Sequence, residues 1–288
     1  MTAVQVTGGV HAGRPVSSVF PVAPLSPAEV RELWAFIHGD IMVGGIRQQL
    51  RASLGLCPRH TWGYAVVEVE LWIHGAGARG GHQPFDVCVL YADLLDHVAG
   101  RLRARGHVFH HTLATTLQRH GPCRVCDALG PDAEERAPRV GYAGSNSFAL
   151  AAEANELRYT TAWFAQTQDL WVTRACPECV RRAAAATMVG GGKPHAEPDT
   201  AVLCLEHVRA PGAETEVSVP ALSSYLAELG ERVDGLGRSM RQGALSPTPV
   251  QNASWIEALG WFAGWDLPLH VTGAHRATEA SRGGGTGA

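Results

Sequence analysis

Four short pairs of soft metal donors constrain this chain more than any other feature. They are Cys57-Pro58-Arg59-His60, Cys123-Arg124-Val125-Cys126, Cys176-Pro177-Glu178-Cys179 and Cys204-Leu205-Glu206-His207. In each pair two donors stand three positions apart, the spacing at which one tight turn aims both at a single ion. Four pairs supply eight ligands, enough for two closed tetrahedral sites, each of three cysteines and one histidine. Of the seven cysteines only Cys88, inside Val87-Cys88-Val89-Leu90, is left over.

A tetrahedron of three thiolates and one imidazole suits Zn2+, a d10 ion with no redox role. Two zinc ions are therefore expected, with an iron–sulfur cluster as the alternative. The pairing stays open. Chain proximity joins Cys176, Cys179, Cys204 and His207 and leaves Cys57, His60, Cys123 and Cys126. A cross-braced scheme joins Cys57, His60, Cys176 and Cys179, with Cys123, Cys126, Cys204 and His207 together. Both use the same eight residues.

Composition narrows the class. A chain of 288 residues with 45% hydrophobic and 18% charged residues can bury a proper core. A formal net charge of -3 leaves no basic footprint for nucleic acid, and Arg101, Arg103 and Arg105 form only a modest cluster. Basic charge is nearly all arginine, Lys193 being the only lysine. Met1 to Val10 lack a basic segment followed by an apolar core, so no secretory signal is read there. No stretch approaches the ~18 apolar residues a membrane span needs. A cytoplasmic location is expected, where paired cysteines hold metal more often than they form disulfides.

Periodicity gives an all-α fold, a helical bundle stitched by the two knuckle sites. Residues 1–25 read as a flexible lead-in, 26–120 as an N-terminal helical half with its CxxH, 121–270 as a C-terminal half with two CxxC and one CxxH, and 271–288 as a disordered tail. Ser26-Pro27-Ala28-Glu29 has the form of a helix start, and Val30, Leu33, Trp34 and Ile37 follow at helical spacing. Gly44-Gly45 would divide that helix from the stripe Ile46, Leu50 and Leu54. A second helix carries Trp62, Ala65, Val66, Val69, Trp72 and Ile73; its valines raise a strand alternative that the three-and-four spacing disfavours. A third starts near Asp86, with Val89, Leu90, Leu94, His97, Val98 and Leu102 on one face. Past a polar linker (130–146), one long helix is expected from Ser147 to Val172, then a short one ended by Gly190-Gly191-Gly192. Leu222, Leu226, Leu229, Val233, Leu236 and Met240 follow a heptad-like rhythm too short for a coiled coil. Trp255, Leu259, Phe262 and Trp265 mark a last helix.

The chain resembles an uncharacterised bacterial helical family built on a repeated CxxC … GLCxxH metal-binding plan. The matching segments are Leu54-Gly55-Leu56-Cys57 with Pro58-Arg59-His60, Val87 to Leu95, Cys123 to Leu129, Leu203 to His207 and Trp255 to Gly260, within residues 26 to 265. The family's first CxxC should precede its first CxxH, yet residues 1–56 contain no cysteine. The Cys176 pair reads as its substitute, which favours cross-bracing. The resemblance implies a metal-bound scaffold and no reaction.

Other candidates have plainer explanations. Gly75-Ala76-Gly77-Ala78-Arg79-Gly80 has dinucleotide-loop spacing but lacks a preceding strand, and Pro84 delays the next helix. His107, His110 and His111 suit a solvated helix end, and His120 is a spare ligand beside Cys123. His38-Gly39-Asp40 reads as a helix kink, Glu153, Glu156 and Arg158 as a solvated face, and Cys88 as a buried small hydrophobe. With both metal shells closed and no nucleophile–base set evident, the expectation is a zinc-binding protein-interaction or regulatory module. Its partner is expected to be another protein, with Trp255, Trp261, Phe262 and Trp265 as the contact surface. The alternative is a small metal-dependent enzyme, of hydrolase or tailoring type, with its pocket in the helical core. A thiol redox switch is a third reading.

Overall fold

In the computed structural model, which describes residues 23–39, 43–71, 82–105, 113–130, 146–187, 202–210, 217–241 and 246–274, the long helices start where the chain supplies caps. Helix α1 (Pro27–His38) opens on a capping box: Ser26 accepts from the Glu29 amide while the Glu29 carboxylate accepts from the Ser26 amide. After α2 (Gly44–Ser53) come α3 (Pro58–Leu71), α4 (Phe85–Arg105), α5 (Leu113–Thr116) and α6 (Arg124–Ala128). Next are α7 (Ser147–Asn155), α8 (Arg158–Gln166), α9 (Gln168–Trp171), α10 (Pro177–Thr187) and α11 (Leu205–Val208). The chain continues through α12 (Val219–Ser239), α13 (Pro249–Ala263) and α14 (Asp266–Thr272). Ser218 caps α12, and Thr248 with Gln251 forms a second capping box at α13. The fold is all-α, and the strand alternative for residues 62–73 is not taken up in its described part. Residues 1–22, Asp40, Trp72, Ile73, the glycine loop from Gly75, His107, His110, His111, linker residues 131–145, Gly190-Gly191-Gly192 and the tail from residue 275 lie outside the described residues.

Two helices form the centre. In α3 every residue from His60 to Leu71 is buried, and in α13 every residue from Ala253 to Ala263. Helix α3 packs against α1, α7, α8, α4 and α13; α13 packs against α12, α9, α4 and α11. The halves read as 26–120 and 121–270 thus pack into each other. Trp255, Trp261 and Trp265 are 0–1% exposed and Phe262 2%, so the aromatic C-terminal segment is core. That overturns its reading as an interaction surface: on a helix surrounded by neighbours, large aromatic rings are buried payload. Trp265 lies flat on the α13 backbone, and a Cβ at Gly260 would fall 2.5 Å from its ring.

Helix α12 packs on α4, with Gly230 and Gly237, beside its heptad-like stripe, at the closest approach. A Cβ added at Gly237 would stand 3.3 Å from Cys88 Cβ, and one at Gly230 3.4 Å from Leu95 Cβ. Both partners are spaced by seven and run in opposite senses, so the helices are antiparallel at close approach. Cys88 fills that seam as a fully buried small side chain. The buried face of α4 is Val87, Cys88, Leu90, Tyr91, Leu94, Leu95, Val98, Ala99 and Leu102, with Val89 and His97 at its margin.

The expected helix from Ser147 to Val172 is broken into α7, α8 and α9, followed by a 3-10 turn at Val172–Arg174. The first break is Leu157, which adopts φ 51°, a left-handed conformation unfavourable to a side chain. A buried acid holds the interruption. Glu70 of α3, 2% exposed, accepts the Tyr159 and Thr160 amides at 3.3 and 2.7 Å. Two residues earlier, Glu68 accepts the Asp86 and Val87 amides of α4 at 2.6 and 2.8 Å. In both cases the residue before the helix, Leu157 or Pro84, offers no polar side chain, and α3 delivers the N-terminal cap from outside. Burial pushes the Glu68 carboxyl well above its usual range, with Asp86 adding to the push and the amides opposing it.

The stripe is divided into two helices as Gly44-Gly45 suggests, with that pair opening the second, α2. Replacing Glu70 with alanine orphans one buried and one half-buried amide, so Glu70→Ala should lose about 1–3 kcal/mol in denaturant unfolding. Amide exchange at Tyr159 and Thr160 should rise first; unchanged exchange there would disprove the remote cap.

Candidate metal centres

One local device is used four times. Each leading cysteine sits just before a helix, and its carbonyl accepts the first i+4 amide. Cys57 takes Thr61 N–H at 2.8 Å, Cys123 takes Asp127 at 2.9 Å, Cys176 takes Val180 at 3.0 Å and Cys204 takes Val208 at 2.8 Å. The second donor of each pair, His60, Cys126, Cys179 or His207, stands at the third helical position. These are the two positions whose side chains face each other in a capping box. Each pair therefore points beyond a helix N-terminus, where the macrodipole favours a thiolate.

The pairs meet as two groups whose ligand atoms all lie within 4.8 Å of one another: Cys57, His60, Cys123, Cys126 and Cys176, Cys179, Cys204, His207. In the first, the Nδ1 of His60 is 3.3, 3.5 and 3.3 Å from the sulfurs of Cys57, Cys123 and Cys126, and Cys57 Sγ is 3.8 Å from Cys126 Sγ. In the second, His207 Nδ1 is 3.4, 3.7 and 3.1 Å from Cys176, Cys179 and Cys204, and Cys179 Sγ is 3.8 Å from Cys204 Sγ. A tetrahedral ion bound at ~2.3 Å to sulfur and ~2.0–2.1 Å to nitrogen sets S···S edges of about 3.8 Å and S···N edges of about 3.5 Å. Both groups match that size and can each hold one ion. A disulfide needs ~2.05 Å. Grouping follows chain proximity, and the cross-braced scheme is not formed.

Packing explains the choice. The segment before Cys123 is docked beside Cys57: Arg119 donates to the carbonyls of Leu56 and Phe262, and His120 N–H donates to Ala52. The Cys176 pair opens α10, where Arg182 donates to both carboxylate oxygens of Asp266 on α14 and lies 3.8 Å from Glu206 of α11.

Charge also calls for a cation. Hydrogen bonding from Cys57 pulls the Cys123 thiol down to about 3 against burial, with His60 assisting. The same bond, with burial behind it, pushes Cys57 far up. In the second group Cys176 is held low by its bonds from Cys179 and Cys204, and Cys179 is driven up by those with Cys176 and Cys204. Bonds to Cys176 and Cys204 raise His207 to about 10, overcoming burial. Left to themselves, three crowded sulfurs keep one thiolate at their neighbours' expense; three thiolates together need a central positive charge.

The first group has an outer partner. Glu29 Oε1 lies 3.1 Å from His60 Nε2, and its carboxylate takes two bonds from the Arg59 guanidinium at 2.6 and 2.9 Å. Burial would raise the Glu29 carboxyl, but Arg59 and the Ser26 amide bring it to about 2. A carboxylate on the far ring nitrogen fixes the tautomer that presents Nδ1 to the sulfurs. The chain shows Glu29 only as a capping residue, and nothing in the spacing announces this second task. Arg59, inside the CxxH itself, was equally silent.

The remaining candidates stay apart. His120 is exposed and belongs to neither group. The His38 ring meets Trp34 edge-on at 4.3 Å, and burial lowers its basicity. Arg158 pairs with Glu156 at 2.9 Å on an exposed face. The thiol of Cys88 is pushed up by burial, with Glu68 adding to it.

Comparison with protein-family models, with characterised proteins and with solved structures gives no match. The metal assignment therefore stands on donor chemistry, which substitution can probe. Glu29→Gln should weaken the ion at the Cys57 group by about 10–100-fold and leave the Cys176 group unchanged in competitive chelator titrations. Equal weakening at both groups would show Glu29 to be a general stabiliser instead.

Proposed function

We propose that the chain binds two zinc ions as structural fasteners and acts as a non-catalytic interaction or regulatory scaffold in a reducing, cytoplasmic setting. The observation that carries this is that each group presents four protein donors at tetrahedral spacing, leaving no coordination position for a substrate or an activated water. A cluster would place its thiolates on different irons, and sulfurs 3.8 Å apart favour one shared ion. The resemblance to the bacterial helical family agrees with a scaffold role. No described helix is long and apolar enough to cross a membrane. The protein partner is proposed without an assigned surface, because the aromatic segment is buried.

The enzymatic alternative finds less support. A cleft among α3, the end of α7 and α14 is lined by Leu25, Arg59, Trp62, Gly63, Leu157 and His270, among others, and its lining has no carboxylate or thiol. Arg59 is already committed to Glu29 and to the Ala23 and Pro24 carbonyls. The buried acids Glu68 and Glu70 are occupied as helix caps.

Elemental analysis of purified protein should return two zinc per chain. Chelation should reduce helicity, because a structural site contributes about 10–16 kcal/mol at neutral pH. Cys204→Ser should lower zinc to one and cost stability. Iron with visible charge-transfer absorption, or full helicity after complete chelation, would overturn the reading.

A further inference from the structure

We propose that the Cys57–His60–Cys123–Cys126 knuckle is an oxidant-responsive modification site with Cys126 as its reactive sulfur, while the Cys176 knuckle is protected. The inference rests on reading both groups as zinc sites and adds to it a chemical difference between them.

Reaction of a thiolate with an electrophile needs both anionic sulfur and access. Zinc supplies the first equally, since it holds all six ligand sulfurs deprotonated at neutral pH. Access differs sharply. Cys176, Cys179 and Cys204 are each 0% exposed, whereas Cys126 is exposed and Cys57 and Cys123 are half-buried. Both groups include one short helix, α6 or α11, but Cys126 and Cys179 ride on different elements. Cys126 rides on α6, five residues long with Val125 as its buried side chain, whereas Cys179 lies in an eleven-residue helix tied to α14 through Arg182 and Asp266.

The oxidant class is a peroxide. The Cys126 thiolate attacks one peroxide oxygen, forming the S–O bond of a sulfenic acid and expelling hydroxide. The Cys57 thiolate, 3.8 Å away, then attacks the sulfenyl sulfur, forming the S–S bond and displacing a second hydroxide. Two sulfurs have lost two electrons, and the peroxide has become two hydroxides, which take up protons from solvent. Bringing the sulfurs to ~2.05 Å asks for a closure of about 1.8 Å, which short α6 can supply. Cys123 and His60 remain as two donors, too few for a closed shell, so the ion leaves. The product is a chain with one zinc and α6 no longer pinned to the start of α3.

The test uses the full chain loaded with two zinc ions, hydrogen peroxide and a chromophoric zinc chelator. One equivalent should be released about 10-fold or more faster than the second. Non-reducing peptide mapping at that point should show Cys57 joined to Cys126, with Cys176, Cys179 and Cys204 still reduced. Cys126→His keeps four donors but removes the exposed sulfur, and should slow the first release to the rate of the second. If that variant does not load two ions, the mapping on the unaltered chain decides alone. Release of both ions together, earlier oxidation of the Cys176 group, or no release under excess peroxide overturns the inference. Fewer than two zinc ions before peroxide is added would instead overturn the zinc reading itself.

Discussion

A thiolate placed at the open end of a helix is the interaction on which this structure turns. In an ordinary capping box a side chain takes up a loose amide; here the same two positions are turned outward to a common centre that can hold an ion. Four N-termini do this in pairs, and the smaller partners need it. Helix α6 has five residues and α11 four, far below the ~12–15 at which an isolated helix becomes even marginal. Ordering α6 costs about 1–2 kcal/mol per residue in backbone entropy. Burying Val125 returns about 1.5–3 kcal/mol in all. An ion at this centre, at about 10–16 kcal/mol, would be large enough to close that gap.

The core answers the same backbone problem with carboxylates. Glu68 and Glu70 sit in an all-buried helix because each satisfies two amides of a neighbouring helix that lacks its own cap. Glu257, 2% exposed in α13, is held by both Arg232 nitrogens at 2.6 and 3.0 Å and by the Tyr225 hydroxyl at 2.9 Å, all from α12. A buried acid left unpaired would be costly, and none of these three is. Glu29 joins the two systems, capping α1 with one hand and orienting a candidate metal ligand with the other.

What the chain disclosed in advance divides along range. Donor spacing of three, the Ser26-Pro27 start and helical periodicity act within one turn, so the eight donors and the start of α1 could be read from them directly. The interruption at Leu157 could not, since its cap comes from Glu70 eighty-seven positions earlier in the chain. The ligand grouping depended on where Arg119 docks, which is a matter of the Leu56 and Phe262 carbonyls. Trp255, Trp261 and Trp265 misled for a related reason: an aromatic cluster looks the same in sequence whether it faces solvent or a ring of neighbouring helices. The acids in Val66-Val67-Glu68-Val69-Glu70-Leu71 were the available signal, because two carboxylates in an otherwise apolar helix must find donors.

The two metal centres are not independent ornaments on this core, because one joint lies between them. Two residues beyond His60, Trp62 donates its indole N–H to the Gly264 carbonyl at 3.0 Å, tying the first turns of α3 to the end of α13. Gly264 has φ 78°, and a Cβ there would meet Cys179 Sγ at 3.8 Å. On the other side Arg119 bridges Leu56, just before Cys57, to Phe262. The start of α3 and the end of α13 are thus held directly by an indole and a guanidinium, with a candidate ion on each flank. Direct bonds fix the long helices; ions at the two candidate centres would fasten to them the short segments that could not stay folded alone. This division explains why the donors stand at helix starts, those of central α3 and of the shorter α6, α10 and α11, and not within the buried middles.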